Sequence, residues 1–197
     1  IDILLVFSEG ETIIISENID ILRKNNIKVA VNEKKTVSNL IDKLILMQTL
    51  KNSGLDVGSF YEINSRKDFL DYPTQLGYPT KKVVIKPRIG RGSRGVLIAD
   101  EKQDKFLSLI PERFCGKGKL EDLLKEYSQK NKDFRNLICM PYYGGNVWDV
   151  DVIADKGSII NIAARLRQLK NPIWPTSTGH KSSNNKKILE FVYKICK

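Results

Sequence analysis

Apolar and polar residues along the chain follow two periods in turn, and these predict alternating strands and helices. Short apolar runs predict strands at 1–7, 27–31, 59–63, 83–86, 96–99, 137–140, 147–154 and 159–167. Helical spacing or a capping pattern predicts helices at 16–24, 36–53, from 65 onward, 103–110, 119–130 and within 184–197. Ser16 and Ser65 are the predicted N-caps, and Gly54 is predicted to end the second helix. This alternation indicates an α/β fold.

The two ends of the chain each run into a predicted element. Residues 1–7 form an apolar run with nothing before it. Residues 184–197 place Ile188, Val192 and Ile195 at helical spacing, with no glycine or proline to stop the helix. A chain that begins in a strand and ends in a helix is expected to be a fragment of a longer protein.

Composition excludes several classes of protein. The chain is 41% hydrophobic and 28% charged, which is typical of a globular domain, and no apolar run reaches the ~20 residues of a membrane span. The segment at the start does not resemble a signal peptide. Three separated cysteines without a C-x-x-C pair argue against a disulfide scaffold or a zinc site. We therefore expect a cytoplasmic protein with no membrane partner.

The net charge of +10 favours an anionic partner, although abundant lysine, isoleucine and asparagine also suggest the composition of an AT-rich genome. The distribution of charge is more informative than its sum. No acidic residue occurs between Asp71 and Asp100, or between Asp155 and Glu190, and both windows are rich in lysine and arginine. We interpret these windows as two walls of one anion site.

A glycine-rich segment lies inside the first basic window. Gly90-x-Gly92-x-x-Gly95 matches the dinucleotide-binding pattern by letters, but a β-type run follows it where that pattern needs a helix. A kinase loop would carry its lysine after the glycines, whereas Lys86 precedes them, and no P-loop sequence occurs. A strand–loop–strand hairpin remains. Its backbone N–H groups, Lys86 and Arg88 are suited to phosphate; the alternative is an ordinary glycine-rich hairpin with solvated arginines.

Three segments together resemble the ATP-grasp superfamily, in the branch of the carbamoyl-phosphate synthase large subunit and biotin carboxylase. They are Gly77-Tyr78-Pro79, VVIKPRIGRGSRGV at 83–96 and MPYYGGNVWDVDVIADKG at 140–157. The resemblance implies a partial ATP-grasp fold with three parts. Residues 1–35 would end a preceding Rossmann-like domain, 36–136 would form the N-terminal subdomain with the glycine loop, and 137–197 would begin the C-terminal subdomain.

The resemblance also implies a nucleotide site. ATP would lie between two subdomains, with Lys43 and Lys86 on its phosphates and the glycine loop as a lid. Residues 140–143 would be the hinge that meets adenine, and Arg167 would neutralise phosphate or a substrate carboxylate. The implied cofactor-binding residues are Lys43, Lys86, Arg88, Gly90, Gly92, Ser93, Gly95, Met140, Tyr142, Tyr143 and Arg167.

Two positions depart from the family pattern, and the metal ligands are not assigned. Pro141 and Val147 stand where the family usually has glutamate, which puts adenine or ribose recognition in question. The family's Mg²⁺ ligands are expected outside this chain. Glu62-Ile63-Asn64-Ser65-Arg66 spells the family's metal motif in the wrong place, so we interpret it as the end of a strand that leads into the Ser65 cap.

Charged residues on the later strands have two interpretations. Asp149 and Asp151 share one face of a strand, and Arg165 and Arg167 share a face of the next. Each pair either faces a substrate or is solvated. His180, the only histidine, lies in a segment at 171–185 that is expected to be mobile, and its catalytic role is open.

Three functions follow from these residues. The first is the ATP-binding domain of an ATP-dependent carboxylate–amine, or related, ligase that forms an acyl phosphate from a small carboxylate. The second is a nucleotide-binding module without catalysis, which Pro141 and Val147 favour. The third is a basic nucleic-acid binder, which ranks last because the basic windows lack interleaved aromatic residues. The catalytic residues and the substrate are not identified.

Overall fold

The chain divides into two units, Ile1–Thr49 and Leu50–Lys197, in the computed structural model. The structure describes residues 2–90, 92–107, 115–130, 133–168 and 179–196. None of the helices in these ranges is long and apolar enough to cross a membrane. The predicted domain boundaries at 35/36 and 136/137 stay predictions.

The first unit is a short parallel pair of strands with helices between and after them. Strand β1 (Ile3–Leu4) pairs with β2 (Lys28–Val29) in parallel, as a crossover connection requires. The helices are α1 (Glu9–Glu17), α2 (Ile19–Lys24), α3 (Lys34–Ile41) and α4 (Lys43–Asn52), which extends past the unit boundary. Gly54, with φ +81°, follows α4 as predicted.

Two predictions for this unit are wrong. Ser16 is not an N-cap but is buried within α1; the cap is Ser8, whose Oγ accepts from the Glu11 N–H while the Ser8 N–H donates to the Glu11 carboxylate. The predicted helix at 36–53 is two helices that meet at Asp42. The buried Asp42 carboxylate accepts from the Leu44 N–H at 2.9 Å, so it starts a new helix inside a continuous apolar pattern.

Six strands of the second unit form one mixed sheet in the order β3-β8-β4-β5-β7-β6. Their bounds are β3 (Tyr61–Ile63), β4 (Val83–Pro87), β5 (Leu97–Ala99), β6 (Phe106–Leu107), β7 (Gly116–Gly118) and β8 (Leu137–Pro141). All neighbouring pairs are antiparallel except β5 and β7. Helices α5 (Arg66–Gln75) and α6 (Leu120–Lys130) contribute Phe69 and Leu123 to the core on one face of this sheet.

The edge of this sheet differs from the prediction. A helix was expected at 103–110, but residues 106–107 form β6, and 108–110 lie outside the described residues. Strand β6 pairs with β7, whose Gly-Lys-Gly sequence carries no strand signal. Pairing with a neighbouring strand decides this region, and local propensity does not report it.

A second, three-stranded antiparallel sheet has the order β11-β10-β9. Strands β9 (Trp148–Asp155) and β10 (Ser158–Arg167) form the predicted hairpin, and its turn has φ 47° at Lys156 and 84° at Gly157, which suits a type I′ turn. Strand β11 (His180–Ser183) was expected to be part of a mobile loop; residues 171–178 of that segment lie outside the described residues. Helix α7 (Lys186–Ile195) follows.

Candidate functional site

Lys86 lies on the face of the six-stranded sheet opposite the main core. Side chains alternate along a strand, so fully buried Val83 and Ile85 point to one face while Val84 and Lys86 point to the other. The ladder places Lys86 opposite Ile138 on β8, and Ile138 opposite Glu62 on β3. Lys86 itself is half-buried. The predicted phosphate lysine therefore lies on a face that the helices α5 and α6 do not cover.

An apolar patch lies next to Lys86 on the same face. Buried Ile98 and Cys115 pack with half-buried Val84 and Tyr142. The register places Ile98 opposite Val84, and Val84 opposite Met140, in one row across three strands. A flat apolar row beside a lysine is suited to a ligand that joins an aromatic ring to an anionic group.

The glycine loop between β4 and β5 folds back onto Pro87. Gly95 has φ +74°, and a Cβ at this position would lie 2.6 Å from Cγ of Pro87 and 2.8 Å from its Cδ. Only glycine allows this approach. Gly92 and Ser93 also have left-handed φ values, of 62° and 60°. Such turns can direct backbone N–H groups into a shared concavity that binds an anion.

Arg88 is held by an acidic side chain at the base of this loop. Its Nη1 donates to the carboxylate of Glu62, and its backbone N–H donates to the carbonyl of Asn136 at 2.8 Å. The Arg88 side chain is only 19% exposed. Because Glu62 lies on β3, the guanidinium extends across β8, on the side of β4 away from β5 and the glycine loop.

The segment at residues 62–66, which spells the metal motif, has a structural role. Glu62 forms the ion pair with Arg88, and Ser65 caps α5, with its Oγ accepting from the Asp68 N–H at 3.1 Å. The prediction that this motif is a strand end leading into a cap is confirmed. Its pairing with Arg88 was missed, because no local pattern links positions on β3 and β4.

The predicted hinge begins where β8 leaves β4. Tyr142 donates its N–H to the carbonyl of Lys82 at 3.0 Å, and Pro141 has no N–H to donate. The next backbone N–H along the chain is therefore that of Tyr143. The Tyr143 side chain is 60% exposed.

A lysine that the sequence analysis did not single out shares the Lys86 face. Lys117 on β7 stands opposite Ile98 in the parallel ladder, so the two side chains lie on the same face. Lys117 is half-buried. It was missed because β7 itself was not predicted.

The second sheet pairs its charged residues with one another. Arg167 Nε lies 2.6 Å from the Asp149 carboxylate, His180 Nε2 lies 3.0 Å from it, and Arg165 Nη2 lies 2.5 Å from Asp151. Burial alone would raise the pKa of Asp149, but Arg167 and then His180 outweigh burial and hold that pKa below its usual value. The sequence predicted that the two aspartates share one face of their strand and the two arginines one face of the next. The structure brings the aspartates and arginines together as ion pairs.

These pairs bear on the magnesium that the sequence resemblance implies. Asp149, Asp151 and Glu62 each form an ion pair with an arginine. Across the described ranges, no group of three or more histidine, cysteine, aspartate or glutamate side chains could hold a metal ion. The acidic side chains that the structure describes therefore do not fit a magnesium site.

Lys43, the other predicted phosphate lysine, begins α4 in the first unit. Burial lowers its pKa, and the nearby carboxylates of Glu9 and Asp42 only partly offset this. A half-buried ammonium of this kind is suited to an anionic ligand that would replace its lost hydration.

A cavity of about 790 Å³ lies away from the Lys86 face. Leu70 on α5, Leu124 on α6 and Phe134 form its apolar part. Because both helices cover the core face of the sheet, this cavity is separate from the apolar patch beside Lys86.

No protein-family model and no curated protein sequence matches the chain. Solved structures do match. N5-carboxyaminoimidazole synthetase from Staphylococcus aureus, complexed with ADP, superposes with a TM-score of 0.59 at 15% identity, over 98% of this chain and 45% of that chain. D-alanine–D-alanine ligase from Bacillus anthracis, complexed with ATP, gives 0.59 at 18% identity, over 99% of this chain and 57% of that one.

A third match is the biotin carboxylase domain of the 2-oxoglutarate carboxylase from Hydrogenobacter thermophilus, in complex with MgADP, ADP and bicarbonate. Its TM-score is 0.62 at 16% identity, over 98% of this chain and 41% of that one. The chain thus spans about half the length of these ATP-grasp structures. At such identities the likeness establishes architecture alone. The chain has a partial ATP-grasp fold, as its sequence predicted.

Proposed function

We propose that this chain binds ATP on the Lys86 face and is the nucleotide-binding part of an ATP-dependent ligase. One observation carries the proposal: the register of β4 puts Lys86 beside an apolar row on the face opposite the core. The ATP and ADP named for the similar structures support the choice of ligand.

The purine would lie on the row of Ile98, Val84 and Met140, next to Tyr142 of the apolar patch. An adenine edge needs one backbone donor and one acceptor in the hinge. Tyr142 uses its N–H in the sheet and Pro141 has none, so the donor would be the N–H of Tyr143. With proline and valine at 141 and 147, apolar contact contributes more of the binding free energy than side-chain polar contacts do.

The triphosphate would extend from the patch toward Lys86. The Lys86 ammonium supplies a point charge, and the loop of Gly90, Gly92, Ser93 and Gly95 supplies backbone N–H groups. Arg88, which Glu62 holds at the base of the loop, is also included in the proposed set as a source of positive charge. Arg167 would add positive charge to this anion-binding set, and Lys43 stays a separate prediction in the first unit.

The proposed reaction has two steps. A carboxylate oxygen of a small substrate attacks the γ-phosphorus, and the bond to ADP breaks to give an acyl phosphate. An amine, or a related nucleophile, then attacks the acyl carbon, and inorganic phosphate leaves with the electron pair of the broken bond. The side chains of this chain would bind and orient ATP for the first step.

Calorimetry with ATP tests this proposal on the wild type and two lysine variants. Lys86→Ala should weaken binding about 10- to 100-fold, which is the value of a charged hydrogen bond. Lys81→Ala is the control, because Lys81 is an exposed lysine just before the same strand. A folded wild type that binds no ATP, or equal affinity in Lys86→Ala, would overturn the proposal.

A nucleotide-binding module without catalysis is the second candidate. It is favoured by Pro141 in the hinge and by the arginine partners of Asp149 and Asp151. Release of ADP from ATP in the presence of a carboxylate substrate would exclude it. Saturable ATP binding without ADP formation across a panel of carboxylates would favour it.

A further inference from the structure

The side chain of Tyr143 is anchored on Gly58, in the segment that precedes β3. A Cβ built on Gly58 would lie far inside van der Waals contact with the Tyr143 hydroxyl oxygen, and 3.3 Å from Cζ. The tip of the phenol therefore occupies the space that any side chain at position 58 would need. Tyr143 is exposed along most of its surface but is in close contact at this end.

The sheet explains why two segments so distant in sequence meet. Strands β3 and β8 are antiparallel, with Tyr61 opposite Cys139. Residues that precede β3 consequently run alongside residues that follow β8. Gly58 has φ +69°, and its N–H donates to the Asp56 carboxylate at 3.0 Å, which fixes the local turn.

We infer that Gly58 is a positioning residue for the base of the bound nucleotide, acting through Tyr143. This inference rests on the proposed function. The Tyr143 N–H is the first backbone donor after the ladder, because Tyr142 and Pro141 offer none. Contact between the phenol and Gly58 fixes the Tyr143 side chain, and with it the direction of its backbone N–H. Gly58 thus sets how the chain reads the purine edge.

Gly58→Ala and Gly54→Ala form a matched pair for testing this inference. Both glycines lie in the same segment with left-handed φ values of 69° and 81°, so an alanine is strained at either position. A Cβ at Gly54 meets nothing within 4 Å, whereas at Gly58 it displaces Tyr143. The difference between the variants isolates the effect on Tyr143 from backbone strain.

Calorimetry should show about tenfold weaker ATP binding for Gly58→Ala than for Gly54→Ala, the equivalent of one displaced hydrogen bond. Inorganic tripolyphosphate, which has no base, should bind both variants equally. The double variant Gly58→Ala/Tyr143→Phe should recover most of the ATP affinity. Without the hydroxyl, the nearest ring atom lies 3.3 Å from the added Cβ, which is a tight but tolerable contact.

Nuclear magnetic resonance gives a readout that does not depend on ATP. The amide signal of residue 143 should shift in Gly58→Ala, stay in place in Gly54→Ala, and return in the double variant toward its position in Tyr143→Phe. Three results would overturn the inference: equal ATP affinity in the two glycine variants, a loss of tripolyphosphate affinity in Gly58→Ala as large as its loss of ATP affinity, or no rescue in the double variant. A wild type that binds no ATP would overturn the proposed function, and the amide signals would then show whether the Gly58–Tyr143 contact still exists.

Discussion

The two sheets of the second unit are stabilised in different ways. In the six-stranded sheet Ile85 is 0% exposed, and it belongs to a core to which α5 and α6 contribute. In the three-stranded sheet Ile160 is 69% exposed, and no residue of β9 is buried. Beside the backbone ladder, its strands are linked by the ion pairs of Asp149 and Asp151 with arginines. Burial of apolar side chains stabilises the six-stranded sheet. Ion pairs between strands contribute a larger share of the stability of the three-stranded sheet.

Isoleucine truncations test this difference most strongly. Ile85→Ala leaves a cavity in a packed core and should lower the free energy of unfolding by about 2–5 kcal/mol. Ile160→Ala removes an exposed side chain and should change it by less than about 0.5 kcal/mol. Urea denaturation measures both values. Similar losses in the two variants would show that the sheets are stabilised alike.

Glycine substitutions in the loop at the end of β4 should have the next largest effect. Gly95→Ala combines a left-handed φ with a clash against Pro87, whereas Gly92→Ala has the same kind of φ with its nearest neighbour, an Arg94 nitrogen, 3.9 Å away. Left-handed strain alone costs about 1–2 kcal/mol. We expect Gly95→Ala to lose more stability and more ATP affinity than Gly92→Ala in thermal denaturation and calorimetry. Equal losses would mean that the loop does not pack on Pro87.

Removing a charge from the second sheet should cost less. Asp149→Asn weakens pairs that are partly exposed, so we expect a loss of about 0.2–1 kcal/mol at neutral pH, which urea denaturation can measure. The folded-state pKa of Asp149 lies below its unfolded value. Its stabilising contribution is therefore complete above the unfolded pKa and is lost as the pH falls through the folded pKa.

The same variant gives a pH test. Unfolding curves of the wild type and Asp149→Asn should differ at pH 7 and converge in acid, below the ordinary range of an aspartate pKa, which is about 4. A difference that persists at low pH would mean that the carboxylate charge is not what links β9 to β10. Ile85→Ala should show no such convergence, because its cost has no charge component.

Cysteine alkylation tests the burial of the six-stranded sheet without any substitution. Burial raises the pKa of the Cys139 thiol to about 12, so this side chain in the first sheet should resist iodoacetamide at pH 8. Cys196, which follows α7, is only half-buried and should be modified first. Mass spectrometry of the labelled chain would give the order. Modification of Cys139 in the folded protein would contradict its burial in the core.

The sequence could predict features that are local or strictly periodic. The apolar run at 83–86 correctly predicted strand β4, and the β-type run after Gly95 excluded a helix there. Ser65 was recognised as a cap because its partner is three residues away. The prediction of Ser16 as a cap was wrong, because helix α1 was not predicted and Ser16 lies within it.

Features that depend on pairing across the sheet could not be predicted. Glu62 meets Arg88, and Gly58 meets Tyr143, only because β8 lies between β3 and β4. A single sequence contains no period that links such positions. His180 was expected in a loop for the same reason, since its strand is defined by pairing with β10.

The position of β8 between β3 and β4 also bears on how the protein is made. Strands β3 and β4 both pair with β8, with Ile63 of β3 opposite Leu137. Each therefore lacks this partner until β8 has been synthesised, much later than β3 and β4. Pairing at this sequence separation closes a long loop and slows folding. On the ribosome, the hairpin of β4 and β5 can form early, but the apolar row that includes Met140 cannot. A chain that ends at Lys130 should therefore fail to bind ATP in the same calorimetric experiment.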